Sequence, residues 1–320
     1  MRICIFGAGA MGTSLGALLT RSGTECELVS RSREHVAALN ERGAILNGGA
    51  PVPVKACLPE EMAGQYDIIF LAAKQRDNAK IAAFLEPFLK EDGALVTVQN
   101  GLPERALADV IGKDRVYGCA LTWGAERTGA GRIEVTSESG FPMALGAYGK
   151  GERLEEIAAI LKKAGNVTVG NLSEIRFAKL ALNASLSTLS AISGLTFGEL
   201  SKGHKKHVLA LIHEVFAVAR AYGSKKLPQG GHDLFKVFGA FGRITLPVAV
   251  KKYRGARSGM LLDLEAGRRC EVDYVAGACV KAGEEKGIPC PNLSRAVELV
   301  HEIENGLAEI APESLGLLDL

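Results

Sequence analysis

Near the start of the chain, Gly7-Ala8-Gly9-Ala10-Met11-Gly12 fits G-x-G-x-x-G. The chemistry of that spacing is capture of a dinucleotide pyrophosphate. Each glycine has its own task. Gly7 turns the chain sharply out of a strand, Gly9 lets the backbone approach phosphate with no Cβ in the way, and Gly12 lets the next helix pack close. The open amides at the helix start then face the anion. A plain strand-to-helix turn can use the same glycines, so the flanks decide. Before the motif runs the apolar Ile3-Cys4-Ile5-Phe6. After it come a helical stretch from Thr13 to Arg21 and a second strand from Cys26 to Ser30. That register favours a dinucleotide site.

The end of the second strand selects the dinucleotide. An acidic residue there would accept from a ribose 2′-hydroxyl. The strand ends instead Ser30-Arg31-Ser32, and Glu27 comes too early. A guanidinium between two hydroxyls suits a 2′-phosphate, so NADP(H) is expected over NAD. The alternative for Arg31 is an ordinary exposed loop arginine. Two later strand ends carry Lys74 and Asn100. Lys74 can add a second cation to the adenosine phosphate, or simply be a solvated lysine. Asn100 can reach both nicotinamide and substrate, or form a turn with Gly101.

In the second half, Lys179, Asn183 and Ser187 recur every four residues along the apolar Phe177–Ser187 stretch. That spacing puts them on one face of a helix. A polar stripe on a buried helix is costly without partners. It either lines a cleft or meets solvent. Glu271 opens a later apolar helix, where a carboxylate is favoured by the helix dipole whatever else it does.

Elements must hold these residues in place. After the opening unit, buried-strand patterns at 66–73, 94–99 and 116–122 alternate with helical ones at 33–43, 78–85 and 104–111. Such alternation predicts an α/β, Rossmann-type parallel sheet with ligands at the strand C-termini. The stretches 131–136 and 143–148 read as a β-hairpin joined by Ser137-Glu138-Ser139-Gly140. A helix at 152–164 and a strand at 166–169 follow. From Ser173 onward the period is helical, apart from a loop at 224–231 and a tail after Glu309 that is expected to fray. The expected domains are therefore 1–172, dinucleotide-binding, and 173–320, an all-helical domain for substrate and catalysis.

The 320 residues carry a formal net charge of +2, which implies no nucleic-acid partner. Apolar runs fall short of a membrane span. No targeting segment is visible. Seven scattered cysteines without C-x-x-C suggest reduced core thiols in a cytoplasmic protein. No His, Asp or Glu cluster has metal-ligand spacing, so no metal is expected.

Taken together, Gly7 to Gly12, Arg31, Lys74, Gln99-Asn100-Gly101, Lys179-Leu180-Ala181-Leu182-Asn183 and Met260-Leu261-Leu262-Asp263 through Glu271-Val272-Asp273-Tyr274 resemble the ketopantoate reductase (2-dehydropantoate 2-reductase) family over essentially the whole chain. The resemblance implies that Lys179 is the general acid and that Glu271 positions substrate and lysine. It implies substrate contacts from Asn100 and Asn183, with Asn100 and Glu271 also near the cofactor. Arg31 and Lys74 would bind the NADP phosphate. Two positions depart. Ser187 stands where the family commonly has a second asparagine. Gly259 stands where it commonly has serine, with Ser258 one position earlier as the nearest hydroxyl. Lost polar contacts in a closed site change substrate preference.

The implied reaction is hydride transfer from NADPH to the C2 carbonyl of a 2-oxo acid, with ketopantoate giving pantoate on the way to pantothenate and coenzyme A. Domain closure is expected to exclude water. A reductase of a different 2-oxo acid, and a non-catalytic NADP(H) sensor, remain open. A homodimer is possible by fold analogy only.

Overall fold

The computed structural model describes residues 1–75, 77–136 and 140–318. These residues form two compact units: Met1–Gln99 with Pro103–Leu172, and Asn100–Leu102 with Ser173–Leu320.

The first unit is built on an eight-stranded sheet. From one edge, its strands are Val167–Val169, Met143–Ala147, Val116–Leu121, Leu89–Thr97, Tyr66–Leu71, Ile3–Phe6, Glu27–Val29 and Lys55–Cys57. Neighbours run parallel except Met143–Ala147 beside Val116–Leu121. Strand Ile3–Phe6 lies between its two partners with Cys4 opposite Glu27 and Ile3 opposite Ile68. From it the chain builds outward first on one side, through Glu27–Val29 and Lys55–Cys57. It then returns to build on the other, through Tyr66–Leu71. This reversal of strand order opens a crevice at the strand C-termini, where such sheets bind ligands. Apolar clusters cover both sheet faces, one around Ile5, Leu28 and Phe70, the other around Cys4, Ile69 and Leu95. That burial is why the strands read as nearly continuous apolar runs.

The expected hairpin of 131–136 with 143–148 does not form. Arg132–Val135 pairs antiparallel with Ala125–Gly129 and parallel with Ile45–Leu46, in a separate three-stranded sheet. Met143–Ala147 joins the main sheet. Both stretches alternate as strands should, but alternation does not name the partner. The expected connector Ser137-Glu138-Ser139 lies outside the described residues.

The second unit is helical. Its helices include Leu172–Leu182, Thr188–Ser193, Phe197–Gly203, Lys205–Ala221, Gly242–Ala249, Gly259–Glu265, Val272–Lys286 and Pro291–Glu304. The sole β pairing among its described residues is Pro228–Gln229 with His232–Asp233, inside the region read as loop. Its core gathers Phe177, Leu211, Val215, Val275, Leu299 and their neighbours. The described part of the tail, through Leu318, is ordered where fraying was expected. Pro312–Leu317 forms a 3-10 turn, and Leu315 and Leu318 are buried in that core. Two leucines spaced to reach the core outweigh the entropy of ordering a short tail. Among the described residues no single helix is long and apolar enough to cross a membrane.

Candidate active site

The glycine turn occupies the crevice of the first unit. Gly7 and Ala8 both donate their amides to Val29 O, at 3.0 and 2.8 Å, fixing the turn to the neighbouring strand. Gly7 sits at φ +98°, and a Cβ there would stand 2.2 Å from Ala73 N. A Cβ on Gly12 would meet Gly7 O at 2.4 Å. Around Gly9, in contrast, a Cβ would meet nothing within 4 Å. Space is kept open there. Helix Ala10–Arg21 begins with no side-chain cap and no acid in its first turn, so its leading amides suit an anion. Ala8, Ala10 and Met11 complete this loop. These features fit a dinucleotide pyrophosphate.

A buried cluster of amides supports the same crevice. Gln99 Nε2 donates to Ala73 O at 2.8 Å and to Asn78 Oδ1 at 3.0 Å. Asn78 Nδ2 donates to Gln75 Oε1 at 3.0 Å, and Thr97 Oγ1 donates to Gln99 Oε1 at 3.0 Å. Satisfied buried networks of this kind rigidify what they join. Here they join the ends of strands Tyr66–Leu71 and Leu89–Thr97, the stretch that presents Lys74. Lys74 itself is exposed.

Arg31 is exposed, directly before Ser32. Ser32 caps helix Arg33–Arg42 by accepting from His35 N. Glu27 faces elsewhere: it accepts from the Tyr66 hydroxyl and pairs with Arg2 at 3.6 Å. A cavity of about 260 Å³ adjoins this turn, lined by Ser32, Glu34, His35, Arg127, Thr128, Gly129 and Ala130. Arg127 thus joins the cationic side of the turn, although it comes from the small sheet almost a hundred residues later.

His35 was also missed by sequence reasoning. It is fully buried. Its Nδ1 accepts from Gly131 N at 3.0 Å, which leaves the ring proton on Nε2. Nε2 then donates to Thr13 Oγ1 at 3.0 Å, and Thr13 Oγ1 donates to Ala8 O at 3.2 Å. A chain of three hydrogen bonds thereby anchors the glycine turn to the small sheet. Burial, with Arg127 adding to it, holds the His35 imidazole below its usual value, so it stays neutral. Nothing local in the sequence signals a partner at Gly131.

The second unit carries the polar stripe. Along Phe177–Ser187 only Lys179, Leu182, Asn183 and Ser187 are half-exposed; every other residue is buried. The helix is not regular. After Leu172–Leu182, residues Asn183–Ser187 form a π-turn before Thr188–Ser193 resumes as α-helix. Wide turns of this kind are rare and concentrate at functional sites. Ser185 is buried against the backbone, donating to Ala181 O at 2.6 Å. Helices Gly259–Glu265 and Val272–Lys286 pack on the π-turn. Glu271 is the N-cap of the latter, and its side chain is not spent on capping that start. Asn100 is half-buried, and Gly101 follows at φ +74°.

Ser258, expected as a substrate contact, begins a helix. It is 2 % exposed, and its hydroxyl accepts from Leu261 N at 3.0 Å as the cap of helix Gly259–Glu265. Its amide meets Ser190 Oγ at 3.4 Å. A serine before a helix is spent on the cap. At Gly259 a Cβ would meet nothing within 4 Å, so a hydroxymethyl group there has room.

Among the described residues no group of three His, Cys, Asp or Glu is placed to hold a metal ion. All seven cysteines are free, and all but Cys270 are buried.

The chain matches the family model "Ketopantoate reductase PanE/ApbA" over residues 3–150, and its C-terminal counterpart over 171–304. It is 30% identical over 318 residues to the 2-dehydropantoate 2-reductase of Archaeoglobus fulgidus, covering 96% of this chain and 99% of that one. It is 27% identical to that of Mesorhizobium japonicum, covering 95% and 98%. Among solved structures, a PanE/ApbA family ketopantoate reductase from Ralstonia eutropha JMP134 superposes with TM-score 0.80 at 27% identity, covering 96% and 99%. D-mandelate dehydrogenase with NADH and anilino(oxo)acetate gives TM-score 0.83 at 24% identity, covering 96% and 99%, a likeness of fold alone. With a Rossmann-type unit, a helical unit and two family models spanning most of its length, the chain belongs to the ketopantoate reductase family, a family of nicotinamide-dinucleotide oxidoreductases.

Proposed function

We propose that this chain reduces 2-dehydropantoate to pantoate with NADPH, in the route to pantothenate and coenzyme A. The observation that carries the reading is the half-open stripe of Lys179, Asn183 and Ser187 on an otherwise buried helix. When bound, the reduced nicotinamide supplies the hydride. Negative charge then develops on the substrate's carbonyl oxygen. Lys179 stabilises that charge and donates the proton. A free lysine has a pKa of about 10.4, so near neutral pH it carries the proton it is to donate. Glu271 holds the lysine and accepts from a substrate hydroxyl. Asn100 and Asn183 orient the carbonyl and carboxylate, and Ser187 extends the stripe.

Arg31 and Lys74 take the 2′-phosphate, with Arg127 as a further cation beside Ser32. The absence of a carboxylate at Ser30-Arg31-Ser32, and the engagement of Glu27 elsewhere, support NADPH over NADH.

A second reading is favoured by Gly259 and Ser187. Gly259 offers no hydroxyl, and Ser258 beside it is nearly buried with its oxygen engaged as a helix cap. A different 2-oxo acid then fits better. NADPH oxidation with ketopantoate beside branched and unbranched 2-oxo acids decides between them. Preference for ketopantoate supports the first reading, and preference for another acid the second. Tight NADPH binding without turnover of any acid would leave a cofactor sensor.

A further inference from the structure

Two residues that flank Glu271 are tied to the end of another helix. His301 and Glu304 lie in the last turn of Pro291–Glu304, which packs against Val272–Lys286. His301 Nε2 meets Asp273 Oδ1 at 2.8 Å, and its Nδ1 meets Glu304 Oε2 at 2.9 Å. Glu304 Oε1 in turn accepts from Cys270 N at 2.8 Å. Cys270 precedes Glu271 and Asp273 follows two residues after it, so the clasp grips the chain on both sides of the carboxylate. The Glu271 side chain does not itself cap the helix that begins there, and this grip adds order to that start.

We propose that His301 is a positioning residue for Glu271, acting through its paired hydrogen bonds to Asp273 and Glu304. The proposal rests on the role given to Glu271 above. Both ring nitrogens face carboxylate oxygens, an arrangement only the imidazolium satisfies with two donors. Burial pulls the His301 pKa down, but the bonds to Glu304 and Asp273 outweigh it and raise it above the usual 6.5. Among the described residues, Glu304 from its own helix and Asp273 from Val272–Lys286 are the charged groups facing it. The Cys270 thiol beside Glu304 is pushed up to about 12, chiefly by burial, and stays neutral. From helix Lys205–Ala221, Glu214 is engaged at the opposite end of Pro291–Glu304, with the amides of Asn292 and Leu293. Thr188–Ser193, also packed on that helix, carries no charge.

The sign follows from the raised value. The clasp is complete below pH 6.5 and loosens as pH rises through the raised pKa of His301. Above it, one ring nitrogen turns a lone pair toward a carboxylate and Glu271 loses its fixed approach. The KM for the preferred 2-oxo acid therefore rises with that titration, and by more than the KM for NADPH.

The test pairs a direct titration with three variants. NMR of the His301 ring protons is expected to give a midpoint above 6.5, coincident with the step in substrate KM. His301→Gln, which offers a donor to one carboxylate only, is expected to raise substrate KM about tenfold at pH 6, the scale of one lost charge-assisted bond. His301→Arg keeps two donor edges without titrating, and is expected to abolish the pH step and hold KM near its low-pH value. A midpoint at or below 6.5 overturns the proposal. So does a folded His301→Gln protein with wild-type KM while Glu271→Gln loses turnover. Retained turnover in Glu271→Gln instead overturns the role of Glu271, and the positioning role with it.

Discussion

Lys179 is one of few residues on its helix that reach any solvent, and removal of its amine tests the proposed chemistry. General acids contribute about 10²–10⁴-fold. Lys179→Ala should therefore lower kcat by that order with little change in NADPH affinity, measured by stopped-flow and by titration of NADPH fluorescence. Turnover within a few-fold of wild type would remove lysine from the mechanism. At Arg31, loss of a charge-assisted phosphate contact should cost about 10- to 100-fold in kcat/KM for NADPH and leave NADH unchanged. Gly259→Ser fills open space. If ketopantoate is the substrate, the added hydroxyl should raise its kcat/KM by up to about tenfold, and if another acid is preferred the preference should move toward ketopantoate. The tight turn at Gly7, Gly9 and Gly12 and the half-exposed stripe from Lys179 were legible in the sequence, because both follow from fixed spacings. His35 and Arg127 were not, because Gly131, which bonds His35, and Arg127 itself lie about a hundred residues from the turn and are brought close only by the small sheet. The capping role of Ser258 was not legible, because a hydroxyl before a helix looks the same whether it faces a ligand or a backbone amide.

Elements were legible where burial writes a long pattern. The Tyr66–Leu71 strand and the Asn78–Leu85 helix are examples. The strand Leu89–Thr97 began earlier than its apolar run, because Leu89 pairs with Tyr66 and the polar residues that follow bulge out before pairing resumes at Ala94. Pairing of Arg132–Val135 was hidden, since side-chain alternation fixes a face and leaves the partner open. That pairing has a measurable consequence through His35. Its pKa is lowered in the folded state by burial and by Arg127. The unfolded chain therefore takes up the proton first as pH falls, and stability drops between 6.5 and the lower native value. Thermal melts should show this loss in the wild type, and His35→Gln should flatten it. An unchanged slope would mean that His35 is not buried neutral. The variant should also weaken NADPH binding, because Thr13 and Ala8 lose their tether to Gly131.

At the scale of the molecule, the change from alternating strand and helix to helical period was visible in the sequence. The grouping of Asn100–Leu102 with the helical unit was not, because it depends on contacts such as Leu102 against the helical core. The one tryptophan, Trp123, is nearly buried in the first unit and reports its unfolding alone. A ligand bound only to the folded state at 100 times its Kd adds about 2.7 kcal/mol. Tryptophan-detected urea melts should move by that amount with NADPH at such saturation, and much less with NADH at equal concentration. Equal shifts would undo the preference argued from Arg31.

The π-turn at Asn183–Ser187 has an evolutionary side. A wide turn in an α-helix is the trace of one extra residue. Deleting a single codon there would close the wide turn into a regular helix and leave the residues after it near their present register, because about five residues at the π pitch cover nearly the rotation of four at about 100° each. Leu189 and Ile192, now fully buried, would keep their places in the core. The loss would fall on the stripe, since the widened turn that carries Asn183 and Ser187 would be gone, so a change of length there acts on the site and spares the fold.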